Sequence, residues 1–562
     1  MTKAVKSLRE STLVRWIALI TASLSIFGAY YFNYALSAIK PMLESILGWN
    51  SGDFGTYTSS YGWFNVFLFM LIISGIILDK LGVRKTGLGA TIVMFIGTFI
   101  NYWAISHDFG TATFLGMKVQ VFWSSFGFAI FGVGTEAIGI TISKAVVRWF
   151  KGKEMALAMG MQMAIARLGT LLALAISIPL AKNHTVTAPI VFALIVMLLG
   201  IASFITFSIL DIRLDKSEAD LKVEDEEEFQ IKDIKMIVTN KGFWYIALLC
   251  VLFYSAVFPF LFYATDLMIN KYHVAPKLAG LIPSLLPFGT ILLTPLFGGI
   301  YDKKGKGATI MIIGAFILIL VHGVLAIPFL KEWWVAAVMV IILGVGFSLV
   351  PSAMWPSVPK IIPEKQLGTA YAVIFWIQNI GLLSIPLLLG FVLKSSNPEV
   401  APNKQLIKNS IEVALNNNLQ KNVFNEKDVK NIIEKTTSGV IDSVVQYAQY
   451  TDVTPFANLD TVSYKKDIQA AIENNISSMT IENNEQGVDK IINTNKESLY
   501  KVVLKYKPNL TYNYQNDLLI FVTLALLSLI FAFLLKREDK VKGYGLELPN
   551  IEKKEEETNP EE

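Results

Sequence analysis

The sequence predicts an all-α integral membrane protein: twelve transmembrane helices in two six-helix, pseudo-symmetric halves, with a helical insert on the extracytoplasmic side. Three observations predict it. First, 53% of the 562 residues are hydrophobic and only 17% charged, with a mean hydropathy of +0.50, whereas a soluble globular domain carries roughly 25% charged residues. Second, twelve apolar runs are long enough to cross a hydrocarbon core of ~30 Å, which takes about 20 helical residues. They are 16–39, 57–78, 87–106, 119–147, 155–180, 188–210, 243–269, 278–300, 307–330, 333–359, 366–393 and 518–535. Third, one charged turn occurs twice, after the second and the eighth run. This composition excludes a soluble enzyme, a nucleic-acid binder and a secreted disulfide scaffold. Cys250 is the one cysteine, so neither a disulfide nor an all-cysteine metal site is available. The net charge of +4, from 49 Lys and Arg against 45 Asp and Glu, calls for no polyanionic partner.

Span 1 follows a basic stretch, Lys3, Lys6, Arg9 and Arg15. Its apolar run exceeds the 7–15 residues of a signal core, so it is expected to remain as the first helix. Basic residues in short loops set orientation, because positive charge stays on the cytoplasmic side. Loops after even-numbered spans carry eleven: Lys80, Arg84, Lys85, Arg148, Lys151, Lys153, Lys303, Lys304, Lys306, Lys360 and Lys365. Loops after odd-numbered spans carry six: Lys40, Lys118, Lys182, Lys271, Lys277 and Lys331. Both termini are therefore expected in the cytoplasm, in a bacterial inner membrane or, alternatively, a eukaryotic organelle. In an organelle the sequons at Asn183, Asn475 and Asn509 would become relevant.

The first half is residues 1–212. A linker, 213–242, contains the run EDEEE at 224–228. Residues 243–393 hold the second half through span 11, 516–536 hold span 12, and 537–562 form a cytoplasmic tail. The repeated turns are LDKLGVRK (78–85) and YDKKGKG (301–307), at equivalent places in the two halves, which is the signature of parallel repeats. Their candidate gating residues are Asp79, Arg84, Lys85, Asp302 and Lys303. An aspartate in both copies favours a gate over simple topology charges, each carboxylate being expected at the N-terminus of a neighbouring helix, with the basic residues at helix C-termini.

Residues 394–515 break the pattern. They are rich in Asn, Lys and Glu, with helical spacing at Ile411, Ala414 and Leu415, at Ile432, Ile433, Val440, Ile441, Val444 and Val445, and at Ile468, Ala471, Ile472 and Ile476. Lying between spans 11 and 12, they are expected outside, as a lineage decoration or as a cap that screens substrate or binds a partner.

Ionisable side chains within a membrane are costly and usually functional. The spans contain Glu136, Lys144, Arg167, Asp266 and His322. Glu136 lies 13 residues before Trp149 and Arg167 lies 13 after Glu154. At 1.5 Å per residue both stand about 20 Å above the turn between them. They can therefore form a structural ion pair, or bind substrate: Arg167 a carboxylate through its planar fork, Glu136 an ammonium group or a proton. Lys144 is expected to snorkel to the interface, Asp266 to lie at a solvated helix end, and His322 to be a packing residue.

Polar and aromatic groups complete the expected chamber: Tyr30, Tyr31, Asn33 and Tyr34 from span 1, Trp63 and Asn65 from span 2, Tyr263 beyond Pro259, Trp355 from span 10, and Gln378 and Asn379 from span 11. Asn and Gln are the more informative, since each needs a hydrogen-bond partner in a dry setting. Prolines 283, 287 and 295 predict an irregular span 8. The sequence shows no Ser/His/Asp triad, zinc constellation or Walker A loop. Neither enzymatic activity nor a cofactor is expected, and uphill movement would draw on an ion gradient.

The paired turns and six-helix halves resemble the major facilitator superfamily. Several strings resemble more closely the branch that holds the lysosomal dipeptide transporter: Thr135-Glu136-Ala137, WFKGKE (149–154), MQMAIARLGT (161–170), AVFPF (256–260), AMWP (353–356) and QLGTAYAVIFWIQNIGL (366–382). The resemblance covers all twelve spans but not 394–515. It implies a dipeptide whose carboxylate meets Arg167 and whose amino group meets an acidic side chain, Glu136 matching the family's acidic group. Tyr34 and Thr265 stand where that branch carries an Asp and a Lys. An accessory protein, as the lysosomal relative has, is expected to find its counterpart at the insert.

The expected function is a secondary carrier for dipeptides or other small zwitterions, working by alternating access, with Glu136, Arg167, Tyr30, Asn33, Tyr34, Asn65, Trp355, Gln378 and Asn379 binding substrate. One alternative is a proton-coupled organic-anion carrier; another is a non-transporting receptor or scaffold built around 394–515.

Overall fold

The computed structural model describes residues 7–150, 153–218, 233–363, 366–402, 404, 438, 461–477, 495, 498–499, 502 and 511–549. The chain forms two compact units, Met1–Lys394 with Tyr514–Glu562, and Ser395–Asn513. The first unit begins with α1 (Thr12–Ala38), a short α2 (Lys40–Leu47) closed by Gly48 in the left-handed region (φ 66°), and α3 (Ser51–Ser59). Asn50 and Asp53 form a reciprocal capping box at the start of α3, so the chain re-enters the bundle at a defined point. Next come α4 (Trp63–Phe67), α5 (Met70–Ser106), α6 (Val119–Phe150), α7 (Met155–Asn183) and α8 (Ala188–Glu218). Beyond the linker lie α9 (Asp233–Val238), α10 (Lys241–Asn270), α11 (Pro276–Ala279), α12 (Leu281–Lys304), α13 (Gly307–Ala326), α14 (Trp333–Ile361) and α15 (Leu367–Ser396). In the second unit α16 (Thr461–Ser477) buries Ile468 and Ile472, and α17 (Gln515–Lys542) returns to the first. The other patterned positions expected in the insert, 411–445 and Ile476, lie outside the described residues or their side chains, as do Lys3, Lys6, Lys151, Lys365 and the EDEEE run.

Among the described residues eleven helices are long and apolar enough to cross a membrane, where twelve spans are expected. The difference lies between Ser51 and Ser106. There the second expected span breaks into α3, a 3-10 turn at Ser60–Gly62 and α4, and its last turns run into the third span within α5. The break sits at Phe69, whose φ is 53°, and the two spans meet at Gly82, which leaves helical geometry at φ 74° and ψ 172°. A residue without Cβ takes that φ at little cost. Span 8 begins in α11, is interrupted at Gly280, and then runs as α12 through Pro287 and Pro295.

The outer surface is apolar: Ile20, Leu198, Leu292, Phe316 and Ile530 are each more than half exposed. Such a belt suits acyl chains, since soluble proteins rarely expose contiguous apolar patches beyond a few hundred Å². Helices approach closely where small residues face each other. A Cβ built on Gly97 of α5 would stand 2.5 Å from the Gly127 carbonyl oxygen of α6, so both must be glycine or the helices must separate.

Charged loops at the end holding the termini serve largely as clamps. In the first half Arg84 bonds Asp215 (2.6 Å), Arg148 bonds Asp211 (3.0 Å) and Asp215, and the Trp149 indole donates to Asp211 (3.0 Å). In the second half the tail after α17 takes this part. Glu547 accepts from the Thr309 amide (2.9 Å) and hydroxyl (2.8 Å) at the start of α13, and Lys360 donates to the Gly545 and Leu548 carbonyls. Asp79 does not cap a neighbouring helix, as expected of it; the ammonium group of Lys144 on α6 takes its carboxylate instead, at 3.0 Å. Lys85 and Lys303 are exposed and Asp302 half-buried.

Candidate substrate site

In α1 the spacing of Tyr30, Asn33 and Tyr34 places them on one face. They line a cavity of about 120 Å³ together with Tyr61, Thr135 and Glu136 from the first half and Phe258, Phe262, Phe375, Gln378 and Leu382 from the second. The walls are thus aromatic, and the polar groups are few and convergent, as in most small-molecule sites.

Glu136 accepts from the Tyr61 hydroxyl at 2.9 Å and from Asn379 Nδ2 at 3.4 Å. Both donors address Oε1. Among the described residues no donor reaches Oε2. Arg167 of α7 is 8% exposed, and its guanidinium sits over three rings, Phe347 at 4.6 Å, Phe258 at 5.6 Å and Tyr30 at 5.7 Å. An arginine is well suited to this position, because its weakly hydrated plane is attracted to ring faces. Of the two arrangements open to Glu136 and Arg167, the structural ion pair is not formed: hydroxyl and amide donors occupy Oε1 of the carboxylate, while aromatic faces hold the cation. Tyr30 lies within the field of both charges. Asn33 Oδ1 is buried without a hydrogen-bond partner and belongs to a cavity residue.

Of the residues expected to bind substrate, Tyr30, Asn33, Tyr34, Glu136 and Gln378 line the cavity. Arg167 contacts two lining rings, and Asn379 reaches Glu136. Trp355 stands one layer back, stacked on Phe375 (4.8 Å) and donating to the Tyr254 hydroxyl (3.0 Å). Asn65 is fully buried and donates to the Tyr61 carbonyl at 3.4 Å, which braces the residue that holds Glu136. Other chamber residues do not line it. Trp63 is half-buried, Tyr31 turns to Ser177 (3.4 Å), and Tyr263 donates to the Pro386 carbonyl (3.2 Å). Tyr61 is the significant omission; its position four residues before Asn65, on one helical face, is the signal that points to it.

His322 is fully buried and stacked on Phe521 (5.0 Å). Asp266 departs from expectation. It is 1% exposed rather than solvated, because Lys40 Nζ at 2.5 Å, Asn270 Nδ2 at 2.9 Å and the Tyr514 hydroxyl enclose it.

A family model for the Major Facilitator Superfamily matches residues 22–386. The lysosomal dipeptide transporter MFSD1 of Danio rerio is 28% identical over 393 residues, covering 68% of this chain and 81% of that protein. Its Homo sapiens counterpart is 26% identical over 381 residues, 66% of this chain and 78% of that protein. Among solved structures, a bacterial homolog of the human lysosomal transporter Spinster, inward-facing and unoccupied, superposes with a TM-score of 0.55 at 11% identity, covering 94% of this chain and 99% of that one. The inward-open xylose transporter XylE from E. coli gives 0.54 at 13% identity, covering 80% and 99%.

Proposed function

The chain belongs to the Major Facilitator Superfamily of membrane transporters, and from that premise we propose that it carries dipeptides or similarly small zwitterions by alternating access. The observation that carries this reading is two opposite, mutually unbonded charges, Glu136 lining the cavity and Arg167 set against its lining rings Tyr30 and Phe258. Glu136 has an oxygen without a donor, and Arg167 is held by rings rather than by a carboxylate. A zwitterion supplies the missing partner to each. Its ammonium group would bond Glu136 and Asn33 Oδ1, and its carboxylate would take two parallel hydrogen bonds from Arg167. Phe258, Phe262 and Phe375 would cover the apolar remainder. The similarity to MFSD1 proteins supports a dipeptide; Tyr34 alters the polarity of the cavity wall.

In this reading the termini face the cytoplasm, in a bacterial inner membrane or an organelle, and residues 394–515 face the other side, where an accessory protein would dock. The turns at Asp79 and Asp302 would control the cytoplasmic opening. A second reading, an organic-anion carrier with Glu136 as its proton site, draws on Arg167 alone, a cation with no acidic partner among the described residues. Thermal stability of the purified protein separates the two, because a ligand that binds only the folded state raises the melting temperature. Dipeptides raising it, with monocarboxylates inert, supports the zwitterion; the reverse replaces it with the anion.

A further inference from the structure

At the end of the bundle opposite the termini, the halves are joined by a buried cluster. Lys40, at the junction of α1 and α2, and Asp266 of α10 are 3% and 1% exposed. Asp266 is fully provided for: Oδ2 accepts from Lys40 and the Tyr514 hydroxyl, and Oδ1 accepts from Asn270. Asp517, in the first turn of α17, is 2% exposed, and neither of its oxygens has a hydrogen-bond partner. Lys40 is the cation whose field reaches it. Other titratable groups whose fields meet it are Tyr263 on α10 and Tyr514 at the entry to α17, and Glu44 is buried on α2, the helix that begins at Lys40. On α13 His322 stacks against Phe521, one turn along α17, while Lys271 is turned away to the Leu325 and Ile327 carbonyls.

Lys40 directs its ammonium group to Asp266, and among the described residues no side chain bonds either oxygen of Asp517. A bare carboxylate without hydrogen bonds is strongly disfavoured in such surroundings, and the usual outcome is neutralisation. The start of α17 offers Asp517 a favourable field and the proximity of its own backbone amide, but no side-chain donor among the described residues.

We propose that Asp517 is a proton-binding site coupled to this junction. It holds a proton while Lys40 and Asp266 are engaged and the halves are closed at that end. When the halves part there, water enters, the carboxyl O–H bond breaks, its electron pair stays on the carboxylate, and the proton passes to water. The closed state therefore carries one more proton than the open state, and acid favours closure. The inference rests on the alternating-access reading but is independent of what the cavity binds.

The test uses the full chain, in which the native Cys250 is buried and leaves introduced cysteines as the labelling sites. Spin labels at Ile46→Cys and Leu278→Cys, both exposed and on opposite halves, report the separation at this end. Acidification is expected to increase the short-distance population. Asp517→Asn, which mimics the neutral acid in shape, is expected to hold the short distance at every pH, whereas His322→Gln keeps the wild-type response. An infrared carboxylic-acid band present in the closed state and lost in Asp517→Asn provides a second readout free of the labels. A wild-type response retained in Asp517→Asn overturns the proposal. So does no pH response in the unmutated protein, or a distance that follows sodium concentration at constant pH.

Discussion

Gly55 of α3 and Gly390 of α15 meet backbone to backbone. A Cβ built on Gly55 would stand 2.7 Å from the Gly390 Cα, and one built on Gly390 would stand 2.6 Å from the Gly55 Cα. The two helices belong to different halves, so this contact closes the bundle at the Lys40 end. Neither backbone can yield without moving its helix. Gly390→Ala is therefore expected to wedge the halves apart there. Overpacking of about 1–3 kcal/mol corresponds to a shift of roughly 5- to 150-fold toward the open state. Distances between spin labels on the two halves check it.

Tyr61 and Tyr31 make a controlled comparison. The Tyr61 hydroxyl holds Glu136, whereas the Tyr31 hydroxyl meets Ser177 at the α1–α7 interface. A hydrogen bond to a charged group contributes about 1.5–3 kcal/mol, so Tyr61→Phe is expected to lower substrate affinity roughly 10- to 150-fold. Tyr31→Phe is expected to leave affinity unchanged. Calorimetric titration of both variants reads the difference.

Arg167 relies on its plane as much as on its charge, with three rings against the guanidinium. Lysine keeps the charge but loses the fork and most of the stacking. Arg167→Lys is expected to fold and to lose binding about as fully as Arg167→Ala, by roughly tenfold or more, in the same titration.

The tail after α17 stabilises the second half through Glu547, which accepts from the Thr309 amide and hydroxyl in the first turn of α13. Losing a helix cap costs about 1 kcal/mol. Glu547→Ala is expected to lower the melting temperature by a few degrees while leaving substrate affinity in place, as differential scanning fluorimetry with and without substrate will show.

Much of this architecture is legible in the sequence because it depends on local pattern. Apolar length marks the spans, the repeated DK turns mark the halves, and counting 1.5 Å per residue from the turn at 150–154 singles out Glu136 and Arg167. What cannot be read depends on contacts between distant segments. Arg167 and Glu136 do not pair because Tyr61, Asn379 and Phe347 come from other helices to occupy them. Asp266 looks like a solvated helix end until Lys40, from the other half, is folded onto it. The break at Phe69 involves neither a proline nor a glycine at the break itself, so the usual signals for a kink are missing.

Uptake of a radiolabelled dipeptide into proteoliposomes containing the full-length protein tests the central claim most directly. Saturable uptake by the wild-type chain, abolished in both Arg167→Ala and Glu136→Gln although each variant stays folded and monodisperse, is the predicted result. Undiminished uptake in the variant lacking both charges would contradict the account.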